Sequence, residues 1–132
     1  MIIRELISNM KSGWHSGKGH KATRQGKYEK ALWHYQRAVE YDSRAGQCGS
    51  GLNPVTIECI ARTHARLGNY KEALIEAEKS YDLYKRLNPN TRIVAESKAR
   101  IEAFINILKN GNTEEIKKIL NILERKEGHI PH

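Results

Sequence analysis

The chain has 132 residues, of which 39% are hydrophobic and 29% are charged, and its formal net charge is +8. This composition favours a single folded helical domain over a disordered chain, and no apolar run reaches the roughly 20 residues that a membrane-spanning helix needs. Arg4 and Glu5 argue against a signal peptide, and the two cysteines, Cys48 and Cys59, indicate reduced thiols, so we expect a cytoplasmic protein.

An amphipathic run opens the chain, with four apolar residues at helical spacing: Ile3, Leu6, Ile7 and Met10. It leads into GWHSGKGHK, residues 13–21, which nearly spells a phosphate-binding loop. That loop needs G-x-x-x-x-G-K-[ST] between a strand and a helix. Here Gly13 and Gly17 are one residue too close together, and no serine or threonine follows the lysine. The stretch therefore predicts a helix that is mobile or breaks near Gly13, because glycine weakens a helix by roughly 1 kcal/mol relative to alanine.

Helical periodicity continues to the end of the chain and is interrupted by turn signals. Asn53 and Pro54 suit a helix cap and a first helical residue, and Asn88-Pro89-Asn90 is a break. Beyond the N-terminal run, the pattern predicts six helices, over residues 14–25, 27–44, 54–67, 70–87, 91–110 and 113–126.

Three strings within these helices align with one another: RQGKYEKALWHYQRAVE, RLGNYKEALIEAEKSYD and KNGNTEEIKKILNILER. Their glycines, Gly26, Gly68 and Gly111, are separated by 42 and then 43 residues. In the first two strings a tyrosine follows the glycine by two positions and an alanine by five, whereas the third string is more degenerate. Each glycine lies between two amphipathic runs, so the repetition predicts three helical hairpins.

The GKY…A…Y…A of the first string and the GNY…A of the second resemble the tetratricopeptide repeat (TPR) family. Gly19 and Ala61, seven residues before Gly26 and Gly68, occupy the position where that family has a very small residue at the crossing of two helices. Phe104 departs from this pattern in the third repeat. The resemblance covers about residues 12–127, although the repeats are longer than the usual 34 residues.

The resemblance implies an all-α fold, in which a single domain over residues 1–132 forms a right-handed α-solenoid. Its three TPR-like hairpins would cover about residues 12–45, 54–87 and 91–127. It also implies a non-enzymatic scaffold or adaptor that binds a peptide or helix of a partner protein. The binding surface would be the concave wall, which the first helix of each hairpin forms.

Counting from Gly19, Ala61 and Phe104 assigns eight polar or charged residues to exposed positions on this wall: His20, Arg24, Glu58, Arg62, Arg66, Lys98, Glu102 and Lys109. Five of the eight are basic, so we expect an acidic partner. Arg62 and Arg66 are four residues apart on one helix face and suit bidentate contacts to carboxylates. The alternative is a solvated helix face on which Glu58 and Arg62 pair locally.

A wide apolar surface on the predicted helix 91–110 has three interpretations. Ile101, Ile105 and Leu108 would line part of the groove, or be covered by the N-terminal apolar run, or form a homodimer contact.

A second hypothesis for function is a nucleic-acid-associated protein. Residues 1–50 carry nine lysines and arginines against four acidic residues, and Lys18, Lys21, Arg24 and Lys27 would lead this contact. The sequence has no HExxH or CxxC pattern and no spacing typical of a Ser-His-Asp triad, so it predicts no enzyme activity, no cofactor and no metal site. We also expect no membrane partner.

Overall fold

The computed structural model describes residues 2–45, 52–87 and 90–126, and within these ranges the chain forms six α-helices and no strand. The helices are α1 (Ile2–Arg24), α2 (Tyr28–Ala45), α3 (Pro54–Arg66), α4 (Tyr70–Lys85), α5 (Arg92–Asn110) and α6 (Thr113–Lys126). The all-α class is confirmed, and α2 to α6 begin and end close to the predicted positions. The predictions for Cys48 and for the break at Asn88-Pro89 lie outside the described residues, while Cys59 is buried.

The predicted break near Gly13 is wrong, because the N-terminal run and the predicted helix 14–25 form one continuous helix, α1. Contacts with α2 hold α1 along its length. The Ser12 hydroxyl donates a hydrogen bond to the Asp42 carboxylate, and Ser8 and Gly19 are also buried. Tertiary packing therefore outweighs the low helix propensity of the glycines.

Two of the three repeat glycines end a helix in the left-handed conformation. Gly26 has φ +72° and Gly68 has φ +80°, and in each turn a backbone N–H just beyond the glycine bonds back to a carbonyl of the helix. Gly111 differs, with φ −91° and ψ 167°. After it, Asn112 and Glu115 bond reciprocally to each other's backbone N–H, which caps α6. The third turn therefore directs the chain differently from the first two.

The first four helices form two pairs. α1 packs on α2 and α3 on α4, and α2 also packs on α3 and α4 on α5. By contrast, α6 makes only sparse contact with α5 and crosses to α3. Three buried side chains of α6 join one core with residues of both helices: Ile116, Leu120 and Leu123. α6 therefore lies across the side of the domain that α3 and α5 form.

The predicted apolar surface of α5 lies within this core. Ile101 is fully buried, and Ile105 and Leu108 are half-buried against the same cluster as α6. The N-terminal apolar run does not cover it, since Ile3 and Ile7 are exposed. The chain therefore buries this surface with its last helix and not with its first.

The close packing of α1 on α2 at Gly19 gives a stability prediction. A Cβ at Gly19 would lie 2.5 Å from Cε1 and 2.7 Å from Cδ1 of Tyr35, whereas a Cβ at Gly17 would meet no atom within 4 Å. We expect Gly19→Ala to lower the free energy of unfolding by about 1–3 kcal/mol. We expect Gly17→Ala to raise it by up to about 1 kcal/mol, because alanine favours the helix. Urea titrations of both variants test this, and an equal stabilisation by both would contradict the crossing described here.

Candidate functional site

A buried carboxylate links three helices at the centre of the domain. Glu58 of α3 is 0% exposed, and its two oxygens accept hydrogen bonds from Arg100 Nε and Nη2 of α5, both at 2.7 Å. The Tyr84 hydroxyl of α4 donates to the same carboxylate at 2.9 Å, and Arg62 Nη2 lies 3.2 Å from it. Burial and the neighbouring Glu58 raise the pKa of Tyr84, and the hydrogen bond to Glu58 raises the pKa of Arg100. The Glu58 carboxylate therefore accepts hydrogen bonds from α4 and α5 and has an ion-pair partner on its own helix, α3.

The expectation that Glu58 and Arg62 are exposed on the wall is wrong. The Arg62 side chain is 4% exposed and that of Glu58 is 1% exposed. The local Glu58–Arg62 pair that the alternative foresaw is present, but it lies in the interior and not on a solvated face. The physical reason is that α5 and α6 both pack on α3, which sequence spacing alone does not reveal. A role for these two residues in partner binding stays a prediction, and it would require the domain to open.

Arg66 performs the predicted chemistry within the chain. Its Nη2 donates to Glu124 Oε2 at 2.5 Å and to Asn121 Oδ1 at 2.8 Å, and its Nε donates to Glu124 Oε1 at 3.3 Å. Its guanidinium also lies over the Tyr28 ring, 5.7 Å from the centroid. Both Glu124 and Asn121 belong to α6, so the last helix supplies the carboxylate that the sequence predicts for a partner.

The other predicted wall residues are dispersed. Arg24, Glu102 and Lys109 are exposed, whereas His20 and Lys98 are half-buried. Glu102 and Lys109 share a cleft between α4 and α5 with Tyr81, whose hydroxyl donates to Glu102 at 2.5 Å. With Arg62 buried and Arg66 paired, the five basic residues do not form one continuous exposed stripe.

The basic residues proposed for nucleic acid are accessible to different degrees. Lys21, Arg24 and Lys27 are exposed, and Lys18 is half-buried with its Nζ over the Trp14 ring, 5.2 Å from the centroid. Exposure of lysines and arginines is common to most protein surfaces. Binding of nucleic acid by this third of the chain therefore stays a prediction.

A cluster of rings between α1 and α2 is a feature that sequence reasoning missed. His15 Nδ1 lies 3.0 Å from His34 Nδ1, and His15 stacks on Tyr41 with centroids 5.6 Å apart. Trp14 and Trp33 approach these rings edge-on and are themselves about half exposed. One signal could have revealed the cluster, since the dipeptide Trp-His occurs once in each of the two helices.

The two histidines of this cluster favour the neutral state. Burial lowers the pKa of both, and the charges of Arg37 and Lys11 lower that of His15 further, against an opposing effect of Glu40. His15, Lys30 and Lys18 lower the pKa of His34 in the same way. Since one Nδ1–H can donate to the other Nδ1 lone pair only when that ring is neutral, protonation of both rings would break their contact.

Neither a metal centre nor a membrane span emerges from the described residues. Across residues 2–45, 52–87 and 90–126, no three His, Cys, Asp or Glu side chains are grouped so that they could hold an ion. None of the helices in these ranges combines the length and the apolar character that crossing a bilayer requires.

No protein-family model, curated protein or solved structure matches this chain. The TPR resemblance therefore remains a prediction that rests on the repeated strings and on the positions of Gly19 and Ala61.

The burial of Arg62 gives a second stability prediction. Arg62→Ala removes a cation beside the buried Glu58 carboxylate, so we expect the free energy of unfolding to fall by about 3–5 kcal/mol. Arg24→Ala is the matched control, because Arg24 is exposed and its loss should leave stability unchanged. Urea denaturation followed by circular dichroism measures both, and equal stability of the two variants would contradict the interior placement of Arg62.

The histidine pair predicts a loss of stability in acid. Because folding lowers the pKa of His15 and His34, the unfolded chain binds protons more readily as the pH falls through 6.5, the ordinary histidine value. Their contribution is therefore complete above that pH and is lost below it. We expect the urea midpoint to fall between about pH 7.5 and about pH 5.5. The urea midpoint of the variant His15→Gln/His34→Gln should fall less over the same pH interval than that of the wild-type chain. An identical fall in both would assign the effect to other groups.

Proposed function

We propose that this chain is a non-enzymatic protein-interaction domain, a right-handed solenoid of TPR-like hairpins that binds an acidic amphipathic helix of a partner protein. The binding surface is the inner face, which we define as Ala61, Ala65 and Arg66 of α3 together with Ile101 and Phe104 of α5. One observation carries the proposal: the chain's own amphipathic helix α6 packs on this face and presents the Glu124 carboxylate to Arg66.

The shape of the inner face suits a helix. Ala61 and Ala65 are one helical turn apart, are fully or almost fully buried, and belong to the same core cluster as Ile116, Leu120 and Leu123 of α6. Phe104 fills the space beside them. The apolar side of α6 lies on this floor, while four charged residues of its first half are exposed: Glu114, Glu115, Lys117 and Lys118. A partner helix would need the same division into an apolar and a polar side.

The charge of the inner face selects a helix that places a carboxylate opposite Arg66. Glu124 is 2% exposed and pairs with Arg66, whose side chain is 14% exposed. A helix with a neutral or basic residue at this position would leave the Arg66 guanidinium desolvated and without a carboxylate, which is costly in a largely dry site. Recognition of a carboxylate by Arg66 is therefore the step that discriminates between partner helices.

The covalent link gives α6 an advantage over an incoming helix. A tethered segment competes at a high effective concentration, which is of the order of millimolar for a short flexible linker. A partner helix must therefore bind the inner face more tightly than α6 does, or bind after α6 has been displaced. Because α6 makes only sparse contact with α5, its displacement as a unit is favoured.

The proposal is tested by releasing α6 within the full chain. Leu120→Ser/Leu123→Ser removes two of its buried apolar contacts, and the probe is a labelled peptide with the wild-type sequence of residues 112–126. We expect the released variant to bind this peptide at least about tenfold more tightly than the wild-type chain does, because the tethered competitor is weakened. Fluorescence anisotropy gives the affinities, and circular dichroism verifies that the remaining helices are retained.

A charge exchange identifies the site of binding. A peptide with Glu124→Lys should bind the released variant poorly, and adding Arg66→Glu to that variant should restore binding of the altered peptide while abolishing that of the original. If the released variant binds both peptides equally, or neither of them, the inner face is not a site for acidic helices.

A further inference from the structure

An apolar stripe on α1 lies outside the inner face, and one of its residues, Trp14, also contacts the His34 ring of α2. It consists of five side chains that are between 47% and 73% exposed: Ile3, Leu6, Ile7, Met10 and Trp14. Since successive residues of an α-helix turn by about 100°, the stripe lies on the side of α1 opposite to Ser8, Ser12 and Gly19, which are buried against α2. Exposed apolar surface of this extent on one helix is typical of an interaction site.

The spacing of the stripe is that of a helix-packing seam. Ile3, Ile7, Met10 and Trp14 follow the alternating steps of four and three residues by which one helix packs along another. Gly17 continues the same line, and a Cβ placed on it would meet no atom within 4 Å. Nothing in the described fold requires a glycine at this position, whereas a second helix could approach the α1 backbone closely there.

A row of cations follows one edge of the stripe. Arg4, Lys11 and Lys18 are each seven residues apart, so they recur every two helical turns, at intervals of about 10.5 Å. Within residues 2–45, 52–87 and 90–126, no ion pair joins any of the three to an acidic side chain. The Nζ atoms of Lys11 and Lys18 lie 5.5 Å and 5.2 Å from the ring centroids of Tyr41 and Trp14, which keeps them beside the stripe.

We propose that this face of α1 binds an amphipathic helix of a partner protein that carries a carboxylate at every seventh residue beside its apolar edge. The apolar stripe supplies the buried contact, and the three cations set the register of the partner helix by pairing with its carboxylates. This site is separate from the inner face, and neither proposal depends on the other.

Charge and symmetry argue against other occupants. A second copy of α1 would place its own row of cations in the same contact, which is unfavourable. A helix that lies on an anionic membrane carries basic residues along both edges of its apolar face. Beside the five residues of the stripe only the edge with Arg4 and Lys11 is basic, since the opposite flank carries Asn9 and Ser16, while Lys21 and Arg24 lie beyond the stripe in the last turn of α1. A single row of cations at helical register is what a partner helix with one acidic edge matches.

The test uses two designed helical peptides of three heptads, with a leucine stripe and either glutamate or lysine at every seventh position along one edge. Fluorescence anisotropy with the full-length chain should show that it binds the glutamate peptide at least about tenfold more tightly than the lysine peptide. The variant Arg4→Glu/Lys11→Glu/Lys18→Glu should reverse this preference. The control Lys27→Glu/Lys71→Glu/Arg86→Glu changes the net charge by the same amount, at exposed positions on other surfaces. It should still prefer the glutamate peptide.

A reversed preference cannot result from misfolding, because an unfolded variant would lose both peptides. Met10→Ser, at a residue that is 73% exposed, should weaken both peptides without altering their order. Equal binding of the two peptides, or an unaltered preference in the α1 charge variant, would overturn the proposal. Concentration-dependent dimers in sedimentation equilibrium, or binding to phosphatidylserine vesicles that tracks the three cations without any peptide preference, would assign the face to a second copy or to a membrane instead.

Discussion

The buried carboxylate of Glu58 is the constraint on which the remainder of this domain depends. A carboxylate in the interior is tolerable only when donors or cations surround it, and here α4 and α5 supply donors and α3 supplies the Arg62 cation. The positions of these helices are therefore coupled, because a shift of α4 or α5 would remove hydrogen bonds from this carboxylate. Arg62 belongs to this network, so a cation whose sequence position favours partner binding serves the fold instead.

With Arg62 in the interior, the two surfaces that we propose for partner helices are chemically alike and lie on different helices. Each combines an apolar helix face with cations at one side: Arg66 beside the alanines of α3, and Arg4, Lys11 and Lys18 beside the stripe of α1. α6 packs on the inner face, and Gly111, which precedes it, lacks the left-handed conformation of Gly26 and Gly68. The stripe of α1 has no such occupant among the described residues.

Much of the local structure follows from the sequence, because its causes are local. Amphipathic periodicity predicts α2 to α6, and the repeat marks Gly19, whose missing side chain admits Tyr35. The predicted break near Gly13 is absent because contacts with α2 stabilise α1 and outweigh the low helix propensity of its glycines. The burial of Arg62 and the pairing of Arg66 with Glu124 could not be predicted, because they depend on where α6 crosses the fold, 58 residues beyond Arg66 in the chain. Local spacing contains no information on that crossing.

The claim that α6 is a displaceable occupant of the inner face is tested most directly by native-state amide hydrogen exchange, measured residue by residue with increasing low concentrations of urea. We expect the amides of Leu120 and Leu123 in α6 to exchange through an opening of lower free energy than those of Ala61 in α3, because α6 can leave while the Glu58 network stays intact. Exchange of α6 and α3 with the same free energy and the same urea dependence would show that they unfold together. In that case α6 would be a permanent part of the core, and the inner face would not be open to a partner.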